Sequence, residues 1–192
     1  MMIRTGFRLM LAVLMAAFLS SGAFALDSAE KKLQLEFPVA DGASFRIENL
    51  LGSVGVRMLR EHGPVRIEAR VIAEGKSEQE AADLVSSVEL VRESGDGVET
   101  VHVAYPLDTV DAFRPPKDGL KGLFSRWTAS LMRKGSAAVE YRGRSTTIRK
   151  DRKAAGLAVH ITVRVPSDMS TSIRQGIGSS DVRVVRGDLD LP

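Results

Sequence analysis

Phe45–Met58 reads FRIENLLGSVGVRM, and Thr171–Val184 reads TSIRQGIGSSDVRV. Laid over one another without a gap, at an offset of 126 residues, Ile47 meets Ile173, Leu51 meets Ile177, Gly52 meets Gly178, Ser53 meets Ser179, Val56 meets Val182 and Met58 meets Val184. In the first copy Phe45 and Ile47 face one way and Arg46 and Glu48 the other. Val54, Val56 and Met58 resume that alternation after the Gly-Ser pair. Alternation of period two marks a half-buried strand, and a glycine inside it, free to take a positive φ, marks a corner. Gly52, Ser53, Gly178 and Ser179 are therefore predicted to be the corners of a repeated strand-corner-strand unit.

Strand signals continue on both sides of this unit. Leu33, Leu35 and Phe37 alternate with Gln34 and Glu36 before Pro38, and Asp41-Gly42 turns the chain into the first copy. After a turn at His62-Gly63-Pro64, Val65, Ile67, Ala69 and Val71 form a longer strand with Arg66, Glu68 and Arg70 on its wet face. Ser77-Glu78-Gln79-Glu80 fits a capping box, and the spacing of Ala81, Ala82, Leu84, Val85 and Val88 predicts a short amphipathic helix over 78–87. Glu89–Glu93 and Val98–Tyr105 read as a hairpin closed by Ser94-Gly95-Asp96-Gly97. Leu157 to Val165 is a further strand, with His160, Thr162 and Arg164 outward. The second copy follows it, and Asp181–Val185 and Asp188–Leu191 supply two last strands around Arg186-Gly187. The expectation is a mainly β protein.

Residues 1–25 stand apart. Arg4 and Arg8 precede the apolar run Leu9–Leu19, and Ala23-Phe24-Ala25 closes it. This is the layout of a secretory signal cleaved near Ala25, which predicts export to the periplasm or the cell surface. The chain carries a net charge of +3, and both signal arginines leave with the signal, so the rest is close to neutral. A basic overall balance therefore says little about nucleic acid, and no base-reading motif is present. With no cysteine, the exported chain is held by burial and backbone pairing rather than by disulfides.

Composition shifts between Ala112 and Lys153, where twelve basic residues meet only Asp118, Glu140 and Asp151. Leu120, Leu123, Phe124, Trp127, Leu131 and Met132 follow helical spacing, and Lys121, Arg126, Arg133 and Lys134 lie off that stripe. Residues 119–134 are thus predicted to be a basic amphipathic helix, started after Pro115-Pro116 and stopped at Gly135. Gly143 to Gly156 reads as a solvated basic loop. The chain then divides into 1–25, a β-repeat portion 26–111, a basic insert 112–156 and a resumed repeat 157–192. Lys121, Phe124, Arg126, Trp127, Arg133 and Lys134 suit contact with an anionic membrane surface or an envelope polymer. The same stripe also suits a lid packed on the strands.

The phrases FRIENLLGSVGV, LAVHITVRVPSDMSTSIRQGIGSSDVRV and the GDLDL after them resemble the toast-rack, or DUF4097-type, adhesin family of bacterial exported β-strand repeat proteins. The resemblance covers about Leu33–Val71 and Leu157–Leu191. It implies a right-handed parallel β-solenoid-like repeat and export, and it brings no catalytic residues. Two departures stand out: the basic insert interrupts the rungs, and the second copy stops early, with Leu191 aligned to Val65 and Pro192 last. A repeat stopped in mid-rung leaves a strand edge that a shortened family member would simply carry and that a partner or a second copy would cover.

No residue pattern points to catalysis or to a cofactor. His102 and His160 fall on outward positions of two strands and would pair as metal ligands only if those strands were neighbours, without a third ligand at a recognisable spacing. Gly176-Ile177-Gly178 lacks the third glycine and the helix of a dinucleotide loop. There is no G-x-S-x-G and no evident grouping of Ser, His and Asp. The sequence therefore points to a non-enzymatic structural or binding module of the cell envelope.

Overall fold

The computed structural model describes residues 27–40, 42–59, 63–116 and 135–184. The described chain is mainly β, with one short helix and a mostly parallel sheet that is not closed. In chain order the elements are β1 (Asp27–Phe37), β2 (Ser44–Leu59), β3 (Val65–Gly75), α1 (Glu78–Ser86), β4 (Glu89–Gly95), β5 (Val98–Ala104), β6 (Ala112–Arg114), β7 (Ser136–Tyr141), β8 (Arg144–Arg149), β9 (Ala155–Pro166) and β10 (Thr171–Val184).

The first copy of the repeat is β2, and it is the spine of the molecule. One side pairs in parallel with β5 over Ser44–Glu48, and then with β9 over Gly52–Leu59. The strand thus changes neighbour at its corner. Its other side pairs in parallel with β10, with Ile47 opposite Ile173, Gly52 opposite Gly178 and Val56 opposite Val182. The offset of 126 seen in the sequence is the register of this pairing. β4 extends the sheet beyond β5, while β3 and then β1 extend it beyond β9, all antiparallel.

The main path runs β4-β5-β2-β9-β6-β8-β7. The Tyr141 hydroxyl, at the end of β7, donates to the carbonyls of Val103 (2.8 Å) and Glu48 (3.2 Å), which brings the last hairpin back against β5 and β2. Phe45, Ile47, Leu51, Val56, Ile67, Val71, Phe113, Ile148, Leu157 and Val163 fill one core between these walls.

Local chemistry explains the helix. Ser77 Oγ accepts from the Glu80 amide at 3.2 Å, and the Glu80 carboxylate reaches back to the Lys76 amide at 2.7 Å. This is the expected capping box shifted by one residue at its return bond. Ala81, Leu84 and Val85 are buried, and Lys31 Nζ donates to the carbonyls of Ser86 and Val88, tying the C-terminal end to β1.

Three expectations are corrected. Gly143–Gly156 is not a solvated loop: it contains β8 and the start of β9, with Thr146, Ile148 and Ala154 buried. Composition misled because the arginines of β8 lie at its exposed ends while its centre alternates inward. The strand expected from Asp181 is not separate, since β10 runs unbroken through Gly178 to Val184. His102 is not outward but buried, covered by side chains from β4 and the β7–β8 turn. Residues 1–25, the predicted helix 119–134 with Lys121, Phe124, Arg126, Trp127, Arg133 and Lys134, and the segment after Val184 lie outside the described residues.

Candidate functional site: the stacked corners and the β10 edge

Gly52 has φ +135° and Gly178 has φ +150°, values that residues with a side chain rarely adopt. Space demands glycine as well. A Cβ on Gly52 would lie 2.0 Å from the carbonyl oxygen of Val159, and one on Gly178 would lie 1.8 Å from that of Gly52. The corners of β9, β2 and β10 therefore sit directly on one another.

Each stacked pair is clamped by an amide three residues before its corner. Asn49 Nδ2 donates to the Val159 carbonyl at 3.0 Å, and Gln175 Nε2 donates to the Gly52 carbonyl at 2.7 Å. Asn49 and Gln175 are themselves partners in the β2–β10 register. The two clamps differ at the other end of the amide. Asn49 Oδ1 accepts from the Tyr105 hydroxyl at 2.6 Å, whereas Gln175 Oε1 is buried without a hydrogen-bond partner among the described residues. The Tyr105 hydroxyl also donates to the Leu51 carbonyl and accepts from the Leu51 amide, filling the gap where β2 passes from β5 to β9. Burial, foremost, holds that phenol well above its ordinary pKa.

On the outer face the register joins residues far apart in sequence. Ser53 Oγ lies 2.8 Å from His160 Nδ1, with Ser179 as the next cross-strand neighbour of Ser53 and Arg70 that of His160. Burial, and then the positive charge of Arg70, lowers the His160 pKa, so near neutral pH the ring is uncharged and shares one proton with the Ser53 hydroxyl. The sequence showed no such grouping. Only the β2–β9 register makes neighbours of residues 107 positions apart. The carboxylate that would orient this imidazole, Glu30, is held by Arg70 at 2.6 Å.

Before the corner, the outer face of β2 carries a charge cluster. Buried Glu48 lies 3.0 Å from Arg142 and 3.7 Å from Arg174 of β10, and Arg142 also engages Glu93 at 2.8 Å. His102, the register partner of Glu48 on β5, is 3.9 Å from Glu93. Burial first, and Arg142 second, lowers its pKa. His102 and His160 are therefore not brought together: one flanks Glu48, the other Ser53, on either side of the corner. Among the described residues no three His, Cys, Asp or Glu side chains converge as metal ligands. A second buried pair, Arg114–Glu74 at 2.6 Å, links β6 to β3; removing either partner would strand the other charge away from water.

At the end of the body, the turns Pro38–Ala43, Gly63–Pro64 and Pro166–Met169 surround a half-open cleft of about 330 Å³. Comparison of the chain with protein-family models, with curated proteins and with solved structures finds no match.

The second copy ends as an edge. Among the described residues β10 pairs with β2 alone. Val56 is fully buried on β2, while its partner Val182, pointing the same way, keeps 52% of its surface in solvent. The four residues Ser180–Arg183 are all exposed.

Proposed function

We propose that this protein is an exported, non-enzymatic structural or binding module of the cell envelope, built as a toast-rack-type, right-handed parallel β-solenoid-like repeat, whose working surface is the free edge of β10. The observation that carries this reading is Val182, a core-facing residue left half exposed on a long strand paired on one side. Such an edge is a template for another strand. The solenoid reading is supported by the in-register stacking of Gly178 on Gly52 and by the repeated amide clamp. Export is supported by the signal layout of residues 1–25.

The test is expression of the full chain with a C-terminal epitope in a bacterium with two membranes, followed by fractionation and N-terminal sequencing. The expected product begins at Leu26 and is retained in the envelope, and Val182→Asp, folded by circular dichroism, is released. An unprocessed cytosolic chain, or unaltered retention of the variant, overturns the proposal.

A second reading rests on the basic stretch 112–153, with twelve cations against three acids. In it the stretch holds the protein at an anionic membrane surface or an anionic envelope polymer, with Phe124 and Trp127 at the interface and Lys121, Arg126, Arg133 and Lys134 supplying the attraction. Sedimentation with vesicles containing anionic lipid then falls on deletion of residues 119–134; equal sedimentation of both forms removes this reading.

A further inference from the structure

We propose that the β10 edge closes on the β10 edge of a second copy of this chain, antiparallel and about a two-fold axis between Ile177 and Gly178. This names the partner of the edge identified above, and so rests on that reading of β10.

The register follows from the residues on the strand. Turning one β10 against another about that point sets position 173 opposite 182 and position 174 opposite 181. Ile173 and Val182 are the register partners of the buried Ile47 and Val56, so both face the core side. Each half-exposed Val182 then gains Ile173 of the second copy, at two symmetric places. Arg174 and Asp181 both lie on the exposed face, and each arginine then stands opposite an aspartate, again twice.

In the single chain neither charge is spent. Arg174 is 73% exposed at 3.7 Å from Glu48, and Asp181 is 61% exposed beside Arg183 on its own strand. The corners also coincide, because residues 177 and 178 face each other across the axis and both strands bend at the same level.

The other simple arrangement fails on charge. A parallel, in-register pairing of two β10 strands sets Arg174 on Arg174 and Asp181 on Asp181, which is unfavourable. The two-fold arrangement is isologous and closed, so it ends at a dimer instead of growing into a fibre.

The chain contains no cysteine, which makes the register directly readable. The experiment uses the purified chain beginning at Leu26. Sedimentation equilibrium is expected to give twice the chain mass, and Asp181→Lys, which sets Lys against Arg174, to weaken the dimer by about tenfold or more with an unchanged circular dichroism spectrum. Treated with diamide, the double variant Arg174→Cys/Asp181→Cys is expected to form a covalent dimer. Each single cysteine variant is expected not to, since its two thiols lie roughly 20 Å apart in this register.

A monomeric wild type, whether the edge is covered by the segment after Val184 or kept for a different protein, overturns the proposal. So does cross-linking of the single variants, which reports the parallel register. These readouts use purified protein. A monomer that is still retained in the envelope through Val182 sinks the dimer and leaves the edge reading standing, whereas a dimer found in the cytosol does the reverse.

Discussion

β2 and β10 are two copies of one strand-corner-strand unit, and they lie side by side in register, yet their surroundings are unequal. Phe45, Ile47, Leu51, Val54 and Val56 on β2 are buried, while on β10 the matching Thr171 and Ile173 are half-buried, Ile177 alone is buried, and Ser180 and Val182 are exposed. β2 has β5 and β9 on one side and β10 on the other; β10 has β2 alone among the described strands. The two copies therefore share backbone geometry and differ in energetics. The same residue type is worth several-fold more on the strand with two neighbours, because burial is counted from both sides.

The largest test of this difference is at the corners. Gly52→Ala places a methyl group against the Val159 backbone at a positive φ in a strand that cannot move, and it is expected to cost more than about 4 kcal/mol or to prevent folding. Gly178→Ala meets an equally close backbone, but β10 can detach by itself. The expected result is lost amide-exchange protection over Thr171–Val184 with the remaining core protected. Global unfolding by both variants would show that β10 is as integral as β2.

The clamps come next. Asn49→Ala leaves the Val159 carbonyl and the Tyr105 hydroxyl without this partner in a buried site and is expected to cost about 3 kcal/mol in chemical denaturation. Gln175→Ala removes a single partly exposed bond, for about 1 kcal/mol. For the apolar pair, Val56→Ala is expected to cost about 2–3 kcal/mol, and Val182→Ala less than about 0.5 kcal/mol in dilute monomer. Equal effects in either pair would mean that the β10 edge is covered in solution.

The smallest effect is on pH. His102 and His160 flank β2, on β5 and β9, and burial lowers both pKa values. A histidine whose folded pKa lies below its unfolded value adds no pH dependence above the unfolded value of about 6.5. Below that, the unfolded chain takes up the proton first, so stability falls with falling pH until the folded pKa is passed. Denaturation midpoints should therefore decline below about pH 6.5, and the decline should flatten in His102→Gln and His160→Gln. A midpoint that rises on acidification would contradict the burial of both rings.

Much of the fold was legible because it depends on local rules. The Ser77 cap, the Ser94–Gly97 hairpin, with Asp96 and Gly97 both at positive φ, and the glycine corners each follow from the conformations that a few consecutive residues permit. The β8 strand was hidden by composition. Arg142, Arg144, Arg149 and Lys150 read as a solvated run, although Arg142 turns inward to Glu48 and Thr146 and Ile148 face the core. The Ser53–His160 contact was hidden for another reason, since no pattern along a single strand states which strand lies beside it.

By itself, the sequence determined where the chain bends and the register in which its two copies match, because a positive φ excludes most side chains and alternation assigns each residue a face. Tertiary structure alone decided that β2 is enclosed and β10 is an edge, that Glu48 is buried beside Arg142, and that Val182 is left half in water. Those outcomes depend on neighbours more than a hundred residues away, and long-range pairing is set by how the whole core is filled, which no stretch of fourteen residues encodes.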